Sequence, residues 1–172
     1  MSYLQKDEIL KLVRRVVEAG DIDAYLVESK ILHSRGKGIV DTVLEELFHF
    51  KESGALARQN SFVAFSLILC IESYAEPRHA KRIAEILLWD EVSLLRDGST
   101  RHYLLRILKR IGGAEEIPFL EQLGVKVKGV VYEKDGRLPI SHLQKIEQRD
   151  IREVITAVRM KEGLMNLINS SS

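Results

Sequence analysis

Two pairs of side chains have the spacing that helical metal sites use. Glu46 precedes His49 by three positions, and Glu76 precedes His79 by three. Such Glu-x-x-His pairs on two facing helices can hold a di-iron site when two further carboxylates bridge the metals. Pro77, however, places His79 at the start of a helix rather than in its middle. We therefore expect a chance spacing on a solvated surface, with no metal and no cofactor bound.

The single cysteine and the single tryptophan each have a reactive and a structural interpretation. Cys70 lies within residues 62–71, the most apolar segment, where a thiol is more typical of a small buried hydrophobe than of a nucleophile. Trp89 lies at a helix end, and we expect it to fill part of the core rather than to stack on a ligand. No Ser-His-Asp, Cys-His or glycine-rich nucleotide motif stands out, so no catalytic residue can be named.

A third group of reactive side chains is a basic cluster on two predicted helices. If those helices lie side by side, their cations can form one groove that meets phosphates or an acidic protein partner. Acidic residues such as Glu85, Asp97 and Glu116 intervene, which favours a mixed, solvated surface instead. We take the basic cluster as the candidate partner-binding site; it comprises Arg78, Lys81, Arg82, Arg101, His102, Arg106, Lys109 and Arg110.

The composition is that of one globular domain with no strong electrostatic preference. The 172 residues include 26 basic and 25 acidic ones, for a net charge of +1, so nothing global favours nucleic acid or membrane. Residues 62–71 are too short to span a bilayer, which takes about 20 residues. Lys6, Asp7 and Glu8 interrupt any early apolar run, so we expect no secretory signal and a cytoplasmic protein.

Apolar residues recur at helical spacing over most of the chain, which predicts an all-α fold. Gly112 and Gly113 are expected to supply the left-handed backbone that ends a helix. The last predicted helix buries an apolar side that includes Leu164 and Leu167. The predicted helices cover residues 6–19, 21–32, 39–53, 62–71, 77–88, 101–111, 114–123 and 143–168, with a loop at 35–38.

The stretch from Leu94 to Leu123 resembles a HEAT repeat. The family's slots for an Asp, an Arg, paired apolar residues, a closing Gly and an apolar-Pro-x-Leu run are occupied in order by Asp97, Arg101, Leu104-Leu105, Ile107-Leu108, Gly112 and Ile117-Pro118-Phe119-Leu120. The paired slots usually hold Ala, and Lys109 stands where a Gly is common. A shift of 40 positions, within the range of such repeats, brings Ala64-Phe65 and Leu67-Ile68 onto the same slots. That second copy has Ser61 in place of the Arg.

The resemblance implies a stack of antiparallel helical hairpins, an α-α superhelix, in one domain over residues 1–172. We divide it into N-terminal helices (1–58), a HEAT-like core (59–124), an insertion (125–140) and a C-terminal helix (141–168). The insertion is rich in β-branched valines, and Lys134-Asp135-Gly136-Arg137 is a hairpin-type turn. We expect a short β-hairpin or a loop there.

Three functions remain open. The first is a non-enzymatic protein-binding module or adaptor, because each helix pair of a repeat stack adds a strip of contact surface. The second is a nucleic-acid-binding module that uses the basic cluster, since some HEAT-like proteins are DNA glycosylases that hold the duplex backbone in such a groove. The third is a helical-repeat enzyme or small-ligand carrier. The sequence indicates no membrane segment and does not indicate the oligomeric state.

Overall fold

The chain is all-α, as predicted. A computed structural model describes residues 3–19, 22–54, 62–89, 100–129 and 140–170, and these ranges contain eight α-helices and no strand. Asp97, the expected helix cap, lies outside them. The helices are α1 (Tyr3–Glu18), α2 (Ile22–His33), α3 (Val40–Glu52), α4 (Phe62–Ile71), α5 (Ala80–Leu87), α6 (Thr100–Ile111), α7 (Ile117–Gly129) and α8 (Ile140–Ser170).

Short 3₁₀ turns lead directly into α3, α5 and α7. They span Gly36–Ile39, Pro77–His79 and Ala114–Glu116. A side chain three residues ahead satisfies the backbone N–H that precedes two of these turns: Glu76 N–H donates to His79 Nδ1 at 2.9 Å, and Gly113 N–H donates to Glu116 Oε2 at 2.7 Å. These bonds pair amide groups that a helix start otherwise leaves without an acceptor.

Every second helix contacts the next one in a row. The row consists of α2, α4, α6 and α8, in that order. Beside it, α1 packs on α2, α3 and α4, while α5 packs on α6 and α7, and α7 packs on α8. Neighbours in the chain are therefore also neighbours in space, and α4 lies near the middle of the contacts.

The core follows the predicted helical spacing. Within α4, Val63, Leu67, Ile68 and Ile71 are at most 1% exposed, as expected for the most apolar helix. The apolar pairs of α6 that occupy the repeat slots are equally buried; they are Leu104, Leu105, Ile107 and Leu108.

Three helix ends are closed by a basic side chain from another helix. Arg110 of α6 donates to the carbonyls of Glu72 (2.5 Å) and Ala75 (2.9 Å), just after α4. Lys161 of α8 donates to the carbonyls of Arg110 (3.0 Å) and Gly112 (3.4 Å), where α6 ends. Lys126 of α7 donates to the carbonyl of Leu88 (2.6 Å), after α5. A cation at this place satisfies free carbonyls and the negative end of the helix dipole.

Two sequence expectations about local structure are wrong. Residues 125–129 belong to α7 rather than to a strand, because Val127 is only 1% exposed and its burial outweighs a modest β preference. The rest of the predicted insertion, 130–139, lies outside the described residues. Gly112 and Gly113 do not adopt left-handed backbone; among the described glycines only Gly36 and Gly54 do. Gly112 is required for space, because a Cβ there would stand 2.7 Å from the Leu108 carbonyl oxygen.

Candidate functional site

The basic cluster does not form one exposed surface, because Arg101 is internal. Its side chain is 4% exposed and forms an ion pair with Glu147 of α8, whose side chain is 1% exposed. The pair joins two helices 46 positions apart in the chain. Arg101 therefore fixes α6 against α8 and is not available to a partner.

The exposed cations of α6 are each matched by an acid on a neighbouring element. His102 Nδ1 lies 3.4 Å from Asp150 Oδ2, and Lys109 Nζ lies 3.5 Å from Glu153 Oε2. Arg106 reaches Glu72, with 3.1 Å between guanidinium nitrogen and carboxylate oxygen. The positive potential that a phosphate backbone needs is thereby reduced along this helix.

The first part of the basic cluster faces a different neighbour. Arg78 lies 3.1 Å from Asp41 of α3 and 3.2 Å from Glu76. The Arg82 guanidinium carbon lies 5.0 Å from the centre of the Phe48 ring, also on α3, while Lys81 is exposed. These cations point toward α3, whereas those of α6 point toward α8 and the end of α4.

The two Glu-x-x-His pairs differ in their surroundings. His49 is exposed, but His79 is only 2% exposed, so the expected solvated position is wrong for His79. Its Nδ1 accepts the Glu76 N–H, and its Nε2 lies 3.2 Å from Asp41 Oδ1 at an angle outside hydrogen-bond geometry. Burial lowers the pKa of His79, and the nearby Asp41 carboxylate opposes that shift only in part. Among the described residues, no three His, Cys, Asp or Glu side chains are grouped to hold a metal.

Cys70 and Trp89 have structural surroundings. Cys70 is 2% exposed, and its Sγ donates to the Ser29 carbonyl at 3.1 Å. Burial raises the pKa of the Cys70 thiol to about 12, which suppresses the nucleophilic thiolate at neutral pH. Trp89 packs edge-on against Phe48, with 5.0 Å between ring centres. Both side chains therefore help to build the protein interior.

A surface that the sequence did not indicate lies at the end of α8. Its apolar residues are more than half exposed, including Leu164 and Leu167, which were expected to be buried. The helix extends past its neighbours, so no core covers these side chains. Four of the five follow the spacing i, i+4, i+7 and i+8 along one side of the helix. The exposed fractions are 65% for Met160, 61% for Leu164, 56% for Met165, 66% for Leu167 and 61% for Ile168.

A shallow cleft connects this apolar end to the ion-paired surface of α6 and α8. The cleft has a volume of about 470 Å³. Met160 lines it, together with Lys109 of the basic cluster. The other lining residues on α8 are Arg149, Arg152, Glu153, Thr156 and Ala157. We name the cleft and the four aligned apolar residues, Met160, Leu164, Leu167 and Ile168, the α8 surface.

Comparison with protein-family models, with curated proteins and with solved structures found no match. Within the described ranges, none of the helices has the length and apolar character needed to cross a membrane.

Proposed function

We propose that this chain is a protein-binding module and that the α8 surface is its contact site. The observation that carries the proposal is the row of large apolar side chains left exposed beside a charged cleft. A contiguous exposed apolar patch with a polar rim is typical of protein interfaces. The charged residues of the cleft, Lys109, Arg149, Arg152 and Glu153, would form that rim.

The partner that fits this surface is an amphipathic helix with acidic residues beside its apolar face. Side chains at i, i+4, i+7 and i+8 form a ridge against which another helix packs. The charged lining of the cleft consists of three cations and one carboxylate. Of those cations, Arg152 bonds to the Gln148 carbonyl and has no carboxylate partner within the described ranges. An acidic flank on the partner would complement this excess positive charge.

The contact pattern of the helices also supports a HEAT-like architecture as part of the proposal. In such a stack, alternate helices form rows, as α2, α4, α6 and α8 do here. The end of a stack presents one helix with an uncovered outer side, which is where we place the partner. The ion pairs of Arg106, His102 and Lys109 with acids make nucleic acid the weaker alternative for the same surface.

The proposal is tested by capture from a native lysate with the wild-type chain and two variants. Leu164→Glu with Leu167→Glu places charge on exposed positions of α8, so helical content should not change. Val125→Glu is the matched control, because Val125 is an apolar residue of α7 that is 71% exposed. We expect the double variant to lose a protein that the wild type and the control retain, with and without nuclease. Equal retention by all three proteins would refute binding at the α8 surface.

A further inference from the structure

A second apolar cleft lies at the other end of the helix row, between α2 and α4. Its volume is about 330 Å³, which is at the small end of the range for ligand sites. Leu26, Ser29, Lys30 and His33 line it from α2 at the spacing i, i+3, i+4 and i+7, and Leu69 and Cys70 line it from α4. The exposed lining is mostly apolar, so the cleft suits a hydrocarbon group.

Two polar groups at this cleft have unused hydrogen-bonding capacity. Ser29 is 6% exposed, and its hydroxyl oxygen has no hydrogen-bond partner in the described part of the chain. His33 Nδ1 lies 2.9 Å from the Cys70 carbonyl oxygen, and since a carbonyl only accepts, this nitrogen carries the proton. The Tyr74 ring packs on His33 at 4.7 Å and holds the imidazole in place. A buried hydroxyl without a partner is costly, so a ligand that bonds to it gains affinity.

The charge at the cleft is positive. Lys30 is exposed, and its ammonium group makes no ion pair within the residues described. The one carboxylate nearby, that of Glu72, already pairs with Arg106 at 3.1 Å. An unpaired cation beside an apolar cleft favours a ligand that combines a hydrocarbon body with one negative charge.

We propose that the cleft between α2 and α4 binds a small aliphatic monocarboxylate. The hydrocarbon body packs against Leu26 and Leu69, the carboxylate faces Lys30, and the Ser29 hydroxyl supplies a hydrogen bond. The site is separate from the α8 surface, and the inference does not depend on the proposed function.

Octanoate is the probe, with 1-octanol and octylammonium as probes of equal chain length and different charge. Binding is followed by the backbone amide shifts of the full chain in ¹H–¹⁵N NMR spectra. We expect octanoate to shift amides of α2 and α4 in a saturable way, to bind more tightly than octanol, and to leave α8 amides unchanged. Octylammonium should bind least, because Lys30 repels it.

Two exposed neighbours provide a matched pair of variants. Leu26→Glu places a negative charge in the cleft, and Val27→Glu places the same charge one residue away, outside its lining. Leu26 is 42% exposed and Val27 is 56% exposed, so neither change disturbs the core. We expect Leu26→Glu to abolish octanoate binding and Val27→Glu to leave most of it. Lys30→Met should weaken octanoate about fivefold, the effect of an exposed ion pair, without weakening octanol.

Three results would overturn the assignment. One is equal affinity for the three probes, which would indicate a nonspecific apolar contact. Another is an equal effect of Leu26→Glu and Val27→Glu on octanoate binding. The third is a concentration-dependent dimer, seen by sedimentation and abolished only by Leu26→Glu, because a second copy of the chain would then occupy the cleft.

Discussion

Removing the charge of Glu147 should destabilise the protein more than any surface change. In the folded chain this carboxylate is 1% exposed and faces the Arg101 guanidinium, which is itself buried. Glu147→Gln keeps the size of the side chain but leaves the Arg101 cation without a counter-charge away from water. Breaking a buried pair in this way costs about 3–5 kcal/mol. Arg101→Met should cost a similar amount, because it isolates the carboxylate instead.

The double variant Arg101→Met with Glu147→Leu separates the cost of burying charge from the cost of losing a contact. Replacing a whole buried pair by apolar residues is often neutral or stabilising by about 1–4 kcal/mol, since no ion then has to be desolvated. We therefore expect the double variant to be more stable than either single variant and close to the wild type. The exposed pair Lys109 and Glu153 is the control, for which the same cycle should give a coupling of at most about 1 kcal/mol.

Urea unfolding followed by circular dichroism measures these free energies. For a chain of this size, about 2–4 °C of melting temperature accompany each kcal/mol, so each single variant should melt about 6–20 °C lower. A single-variant cost below about 1 kcal/mol would mean that water reaches the pair. A double variant as unstable as the single ones would mean that packing around α6 and α8, rather than charge, determines the effect.

Three further predictions concern stability and binding. Burial lowers the pKa of His79 in the folded state, so unfolding free energy should be full above about pH 6.5 and fall as pH drops below that value; His79→Gln should flatten this profile in urea titrations at several pH values. Leu108→Ala removes a side chain that is 0% exposed and should cost about 2–5 kcal/mol in urea unfolding, so a value near zero would place that face in solvent. DNA and RNA should bind only weakly at about 0.15 M salt in fluorescence anisotropy, and tight binding lost in Arg106→Ala with Lys109→Ala would show that the acids opposite do not neutralise α6.

The sequence predicted the helices well because their positions depend on local patterns. The apolar periodicity of α6 and the all-apolar character of α4 each identify a helix and its buried side without knowledge of any neighbour. The same periodicity misassigned Leu164 and Leu167, since an apolar stripe does not show whether another helix covers it. In α7, Val125 and Val127 suggested a strand, but the contact of Val127 with the core favoured continued helix.

The candidate site was less predictable because it depends on how helices align. Arg101 is identical in type to its exposed neighbour Arg106, and only the position of Glu147, 46 residues later, makes one internal and the other external. The length of the last predicted helix compared with its neighbours was the one available signal for the exposed end of α8. Ion pairs such as Lys109 with Glu153 require a register between α6 and α8 that no local pattern specifies.

The side chains that close the helix ends also order events during synthesis of the chain. Arg110 completes the end of α4 from 35 and 38 positions later, and Lys161 completes the end of α6 from 49 and 51 positions later. A nascent chain that stops before Arg110 therefore leaves the carbonyls after α4 to water, and one that stops before Lys161 does the same for α6. Arg110 takes part in both steps, as donor to one end and as acceptor at the next. The row of helices is thus completed in the direction in which the ribosome releases it.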